Sequence, residues 1–129
     1  MFTKIFQTYN EAYFGGKLKP IKIMLSRRKL RKGSGYLCTA TNHKPFIVLD
    51  RRLVEGREYL KPLVRTFLHE MTHYYIDQVV DDKFDPKTGF TKRGKMQRKQ
   101  EHPKRFQDKL KSIELLEACW FWEEVVKDQ

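Results

Sequence analysis

The sequence predicts an α+β fold, with a short antiparallel sheet packed on helices. Three observations predict it. Apolar residues recur at helical spacing over residues 60–80 and again after residue 103, as on helices that bury one face. Short runs rich in β-branched and aromatic residues, bounded by Gly, Pro and Asn, fall at residues 21–25, 36–41 and 46–49. The chain has 129 residues, 40% of them hydrophobic, which is enough to bury one core. Residues 1–129 are therefore read as a single domain.

The elements follow in order. Phe2, Ile5, Phe6, Tyr9, Ala12 and Tyr13 mark a first helix, which Gly15-Gly16 ends. Ile21 to Leu25 alternates as a strand does. Gly33-Ser34-Gly35 reads as a turn. Tyr36 to Thr41 and Phe46 to Leu49 read as a hairpin joined by Asn42-His43-Lys44-Pro45. Asp50-Arg51-Arg52 leads into a long helix with Pro62 in its first turn. Leu60, Leu63, Val64, Phe67, Leu68, Met71, Tyr75 and Val79 form its apolar face, while Thr66, His69, Glu70, His73 and Asp77 form a polar stripe. Residues 82–101 are polar and Lys-rich, with Pro86, Gly89 and Gly94, and are expected to be a mobile basic loop. A last helix starts near Pro103 and carries Phe106, Leu110, Ile113 and Leu116. The run Glu114 to Trp122 either continues it or breaks into a second piece, and Trp120, Phe121 and Trp122 are expected in the core.

The stretch that carries chemistry is His69-Glu70-Met71-Thr72-His73, which reads H-E-x-x-H. On a helix, residues four apart lie about 40° apart in azimuth, so both imidazoles can reach one metal ion. Two neutral imidazoles for Zn²⁺, with a carboxylate to take a proton from water, are the working parts of a metallopeptidase. Such a site needs a third protein ligand. The chain has four histidines, so the histidine candidates are His43, in the hairpin turn, and His102, at the mouth of the last helix. Asp77, Glu101, Asp108 and Glu114 are the acidic candidates, with Asp77 better placed to orient a histidine. Spacing alone leaves the third ligand open. It also leaves Tyr36, Tyr74, Tyr75 and Arg65 as equal candidates to stabilise an oxyanion. An edge strand, either Tyr36 to Ala40 or Phe46 to Leu49, is expected to hold an extended peptide.

Charge narrows the partner. The net charge is +11, from 27 basic and 16 acidic residues. Arg27, Arg28, Lys29, Arg31 and Lys32 form one cluster. A second includes Lys92, Arg93, Lys95, Arg98 and Lys99, which are the expected contacts to a nucleic acid backbone, single-stranded or duplex. Cys38 and Cys119 lie outside any C-x-x-C pattern and are read as reduced thiols. No run of 18 apolar residues is present and the N-terminus lacks the apolar core of a signal peptide, so no membrane partner and a cytoplasmic location are expected.

Three stretches together resemble one known family. Tyr9-Asn10-Glu11-Ala12-Tyr13-Phe14-Gly15-Gly16-Lys17-Leu18 is similar to the "F-N-x-x-Y-F-x-G-x-L" of the SprT-like domain. Leu68 to His73 resembles its "L-x-H-E-M-x-H", and His102-Pro103-Lys104-Arg105-Phe106 its later "H-G-x-x-F". That family consists of zincin-type zinc metallopeptidases, including Spartan-type proteases that degrade proteins crosslinked to DNA. The resemblance implies a small zincin-like metallopeptidase domain, zinc held by His69, His73 and His102, and Glu70 as general base. The expected activity is hydrolysis of peptide bonds in DNA-associated or DNA-crosslinked proteins. The alternatives are a partner-specific regulatory metalloprotease of the ImmA/IrrE kind and a non-catalytic nucleic-acid-binding module with structural zinc.

Overall fold

A computed structural model of the chain describes residues 1–40, 43–85, 87–90 and 102–127. The fold is α+β, with a three-stranded sheet packed on helices.

The first helix, α1 (Phe2–Tyr13), buries Ile5, Phe6 and Tyr9. It stops where Gly15 and Gly16 take positive φ angles of 63° and 69°, a backbone that glycine adopts without a Cβ clash. The Gly16 N–H donates back to the Asn10 carbonyl at 2.9 Å. The Asn10 amide then brackets Leu18, accepting from its N–H at 3.0 Å and donating to its carbonyl at 2.9 Å.

The strands are β1 (Lys22–Leu25), β2 (Gly35–Cys38) and β3 (Phe46–Leu49), in the order β1-β3-β2. The β2–β3 pair is antiparallel with Tyr36 opposite Val48, as the hairpin pattern predicts. The β1–β3 pair is parallel, with Lys22 opposite Phe46 and Leu25 opposite Leu49, so the sheet is mixed rather than antiparallel throughout. The reason is burial. Ile47, Val48 and Leu49 are each less than 5% exposed, so β3 is covered on both faces and takes the centre, as strands buried on both sides do. It follows that Phe46–Leu49 cannot hold a substrate strand, and that β2 is an edge among the described residues.

The segment between β1 and β2 is pinned by Asp50. Its carboxylate accepts from the Leu30 N–H at 2.9 Å, from the Arg52 N–H at 2.9 Å, and from the Arg52 guanidinium at 3.0 and 2.7 Å. Two short 3₁₀ turns, Arg51–Val54 and Arg57–Tyr59, then lead into α2 (Leu60–Tyr75). This helix packs on β2 and β3 on one side, and on α3 (Lys104–Lys111) and α4 (Leu115–Lys127) on others. Phe67 is its anchor, with ring centroids 6.2 Å from Phe2, 5.9 Å from Tyr9 and 5.4 Å from Trp122. The Tyr9 hydroxyl donates to the Ala118 carbonyl at 2.6 Å, joining α1 to α4.

Past Tyr75 the chain widens into a π-helical turn over Ile76–Val80, closed by the Asp81 N–H on the Ile76 carbonyl at 2.8 Å. The last helical run breaks at Ser112, whose N–H bonds the Asp108 and Lys109 carbonyls, and restarts as α4. The break resets the helical phase. Trp122 is buried at 4% exposure and Phe121 is half-buried, but Trp120 is 55% exposed, contrary to its expected place in the core. No described helix is long and apolar enough to cross a membrane.

Candidate metal centre and its carboxylate

His69 and His73 lie one turn apart on α2, with ring centroids 4.9 Å apart. His102, just before α3, completes the group, with its ring 4.9 Å from that of His69 and 5.1 Å from that of His73. The three offer ring nitrogens that all lie within 4.8 Å of one another, and they are the only group of His, Cys, Asp or Glu among the described residues close enough to share a metal ion. Nε2 of His102 is 3.1 Å from Nε2 of His69. Two nitrogens on one tetrahedral Zn²⁺, each about 2.0–2.1 Å from the ion, stand about 3.3 Å apart. The donor set and its spacing fit zinc.

The third position rests on a local device. Pro103 caps α3, and the Phe106 and Gln107 N–H groups donate to its carbonyl at 3.0 and 3.1 Å. Phe106, one turn after His102, is 2% exposed and lies against all three imidazoles, with centroids 5.0 Å from His69, 4.3 Å from His73 and 4.9 Å from His102. An apolar backing of this kind disfavours charged imidazole. His73 is pushed down to about 4 by burial, with His69 and His102 adding to the effect. His69 is lowered by burial and then by His102. Both rings are neutral at pH 7, the form that ligates metal.

Glu70, between the two helix histidines, is 5% exposed. Burial pushes its carboxyl up to about 7, against the opposing effect of the Leu37 backbone amide. The edge strand β2 is thus packed beside the carboxylate. Gly35 permits that approach, because a Cβ there would fall 2.7 Å from Thr66 Cγ2 and 2.9 Å from the Val48 carbonyl oxygen. The Ser34 and Thr66 hydroxyls meet at 2.6 Å and fix the strand one helical turn before Glu70. Sequence reasoning had Thr66 on the polar stripe and Leu37 in a candidate peptide-holding strand, but missed Gly35 and the contact of Leu37 with Glu70. The Gly33-Ser34-Gly35 run carried a signal, but it read as a turn alone.

The remaining candidates separate. His43 is exposed in its turn and stands outside the metal-capable group, as do Asp77, Asp108 and Glu114, while Glu101 lies outside the described residues. Asp77, expected to orient a histidine, makes its ion pair with Lys83 at 3.4 Å. Since Gly35 faces Thr66, the two-residue period of a strand turns Tyr36 to the opposite face of the sheet, away from Glu70. The Tyr74 hydroxyl donates to the Lys19 carbonyl at 3.1 Å, and Tyr75 packs on Phe14 beneath Lys109. Arg65 is exposed one turn before His69 and lines a groove with Leu110 and Ile113. Lys92, Arg93, Lys95, Arg98 and Lys99 lie outside the described residues; Arg27, Arg28, Lys29, Arg31 and Lys32 are exposed on the segment that Asp50 pins.

The model of the SprT-like family matches residues 2–119 of the chain. No curated protein matches the chain.

Proposed function

The chain belongs to the SprT-like family, and we propose that it is a zinc-dependent peptidase acting on DNA-associated or DNA-crosslinked proteins. The observation that carries the peptidase reading is the convergence of three imidazoles beside a buried glutamate, next to a strand that is an edge of the sheet among the described residues. His69, His73 and His102 would hold Zn²⁺, which would supply Lewis-acid polarisation of a carbonyl and a lowered pKa for water. The protein's own groups do the rest. Glu70 accepts a proton at its carboxylate and returns it to the leaving amine, and a pKa near neutrality suits both transfers. The edge strand β2 offers backbone N–H and C=O groups to an extended peptide, beside the point where the Leu37 backbone amide meets Glu70. Phe106 excludes water from the back of the histidine group.

A structural zinc site is closed by four protein ligands, whereas catalytic sites keep one position open. The described metal-capable group holds three residues, which favours catalysis over a structural role. The nucleic acid part of the reading rests on charge: +11 overall, with Arg27–Lys32 beside the start of β2 and Lys92–Lys99 preceding His102 in sequence.

The test uses the purified chain. We expect about one Zn²⁺ per chain, cleavage of histone or casein that rises with single-stranded DNA, and a Glu70→Gln variant that keeps its zinc but has lost cleavage. Wild-type protein that cleaves nothing under any nucleic acid condition overturns the peptidase reading. Cleavage of a single regulatory partner, indifferent to DNA, favours the partner-specific protease instead.

A further inference from the structure

We infer that the Asp81–Arg105 ion pair is a latch that positions His102 on the other two histidines, and so sets the affinity of the site for metal. The inference rests on the three-histidine reading of the site.

Besides Phe106, α3 is held by Lys109, whose ammonium lies 5.2 Å from the Phe14 ring and 5.0 Å from the Tyr75 ring, contacts that do not fix direction. The helix has eight residues, and Phe106 is the one that it buries. One aromatic ring lets a short helix slide or rotate, and a shift of an ångström would carry His102 out of ligating distance. Orientation needs a directional contact. Arg105 lies three residues after His102, in the first turn of the helix that Pro103 caps. Its guanidinium donates through Nε to Asp81 Oδ1 at 3.0 Å and through an Nη to Asp81 Oδ2 at 2.7 Å. Two parallel hydrogen bonds from a planar fork fix angle as well as distance.

Asp81 is itself fixed to the metal helix. It closes the π-helical turn, with its N–H on the Ile76 carbonyl. The turn begins three residues after His73. Inside it, Asp77 is held by Lys83, through the ion pair and through the Lys83 N–H on the Asp77 carbonyl at 2.8 Å. On the other side of the latch, the Gln107 side-chain amide donates to the His102 carbonyl at 2.9 Å, tying the ligand's backbone to α3. A closed path of contacts therefore runs from His73 through the π-turn, Asp81, Arg105 and Gln107 to His102.

Exposure separates this role from ordinary stabilisation. The Arg105 side chain is 48% exposed, and pairs so open to water add little to global stability. Its effect belongs to the geometry of the site.

The experiment measures zinc affinity by competition with a chromogenic chelator, alongside the melting temperature of the zinc-free protein. We expect Arg105→Gln and Asp81→Asn each to weaken zinc binding about tenfold, the low end for residues that orient metal ligands. The double variant should be no weaker than either single one, because both remove the same ion pair. Arg105→Lys keeps the charge without the fork and should fall between. Arg57→Gln, an exposed arginine remote from the latch, should bind zinc as wild type does. The melting temperature of the zinc-free protein should barely change. Unchanged affinity in Arg105→Gln, while His102→Ala loses zinc, overturns the latch alone. Additive losses, or weakened binding that merely tracks a lower melting temperature, also overturn it. If His102→Ala binds zinc as wild type does, the three-histidine reading fails and the latch falls with it.

Discussion

Asp50 and Glu70 are the two buried carboxylates among the described residues, and their environments push them in opposite directions. Glu70 lacks a cationic neighbour strong enough to offset burial, so its charged form is disfavoured. Asp50 is the reverse case. Hydrogen bonds from Arg52 hold its carboxyl well below the usual carboxylate range, outweighing burial, with the Leu30 amide assisting. A depressed folded-state pKa gives stability that is present above the unfolded value of about 3.9 and is lost as pH falls below it toward the folded value. Urea midpoints should therefore lose the Asp50 contribution only below about pH 4. Asp50→Asn should cost about 1–3 kcal/mol at neutral pH, by leaving amide donors poorly matched, and should blunt the loss in acid. Identical acid profiles for the two proteins would show that the Asp50 charge holds nothing together.

Among the elements, β2 makes the sharpest demand on sequence. Its first residue must be glycine, because the nearest neighbours of a Cβ at position 35 are the Thr66 methyl and the Val48 backbone oxygen. Gly35→Ala should destabilise the fold by about 1–3 kcal/mol, the usual cost of overpacking. It should also lower peptidase activity beyond what the lower stability explains, since β2 moves away from Glu70. Combining it with Thr66→Ser should restore only part of the stability, because the clash with the backbone remains. What could be read in the chain follows from which signals are local. The α2 helix, the β2–β3 hairpin and the facing of His69, Glu70 and His73 each depend on residues a few positions apart, and their periodicity carried them. The parallel β1–β3 pairing depends on where the segment pinned by Asp50 travels, which no local pattern encodes. The exposure of Trp120 depends on the break at Ser112, since an unbroken helix would have a different phase. Nor does the spacing from His73 to His102 encode their meeting. Phe106, Arg105 and the π-turn produce it, and a π-turn leaves no mark in apolar periodicity.

For the molecule as a whole, the positive charge is the quantity with reach. If Lys92, Arg93 and Lys95 contact phosphate, changing all three to Ala should weaken binding to an oligonucleotide similarly across sequences. It should also flatten the dependence of log affinity on log salt by roughly 0.9 for each duplex phosphate no longer neutralised. An unchanged slope would leave Arg27–Lys32 as the better place to look. The clasp of α1 and α4 around Phe67 has a different kind of consequence, one that concerns biosynthesis. Both histidine-bearing segments precede α4 in the chain, yet the face of α2 opposite the sheet has no Trp122 or Ala118 to lie against until that last helix has left the ribosome. A nascent chain therefore carries all three histidines before the helix that bears two of them is fully packed, and a ribosome stalled short of α4 holds a product whose histidine group is not yet properly assembled beside its own emerging polypeptide.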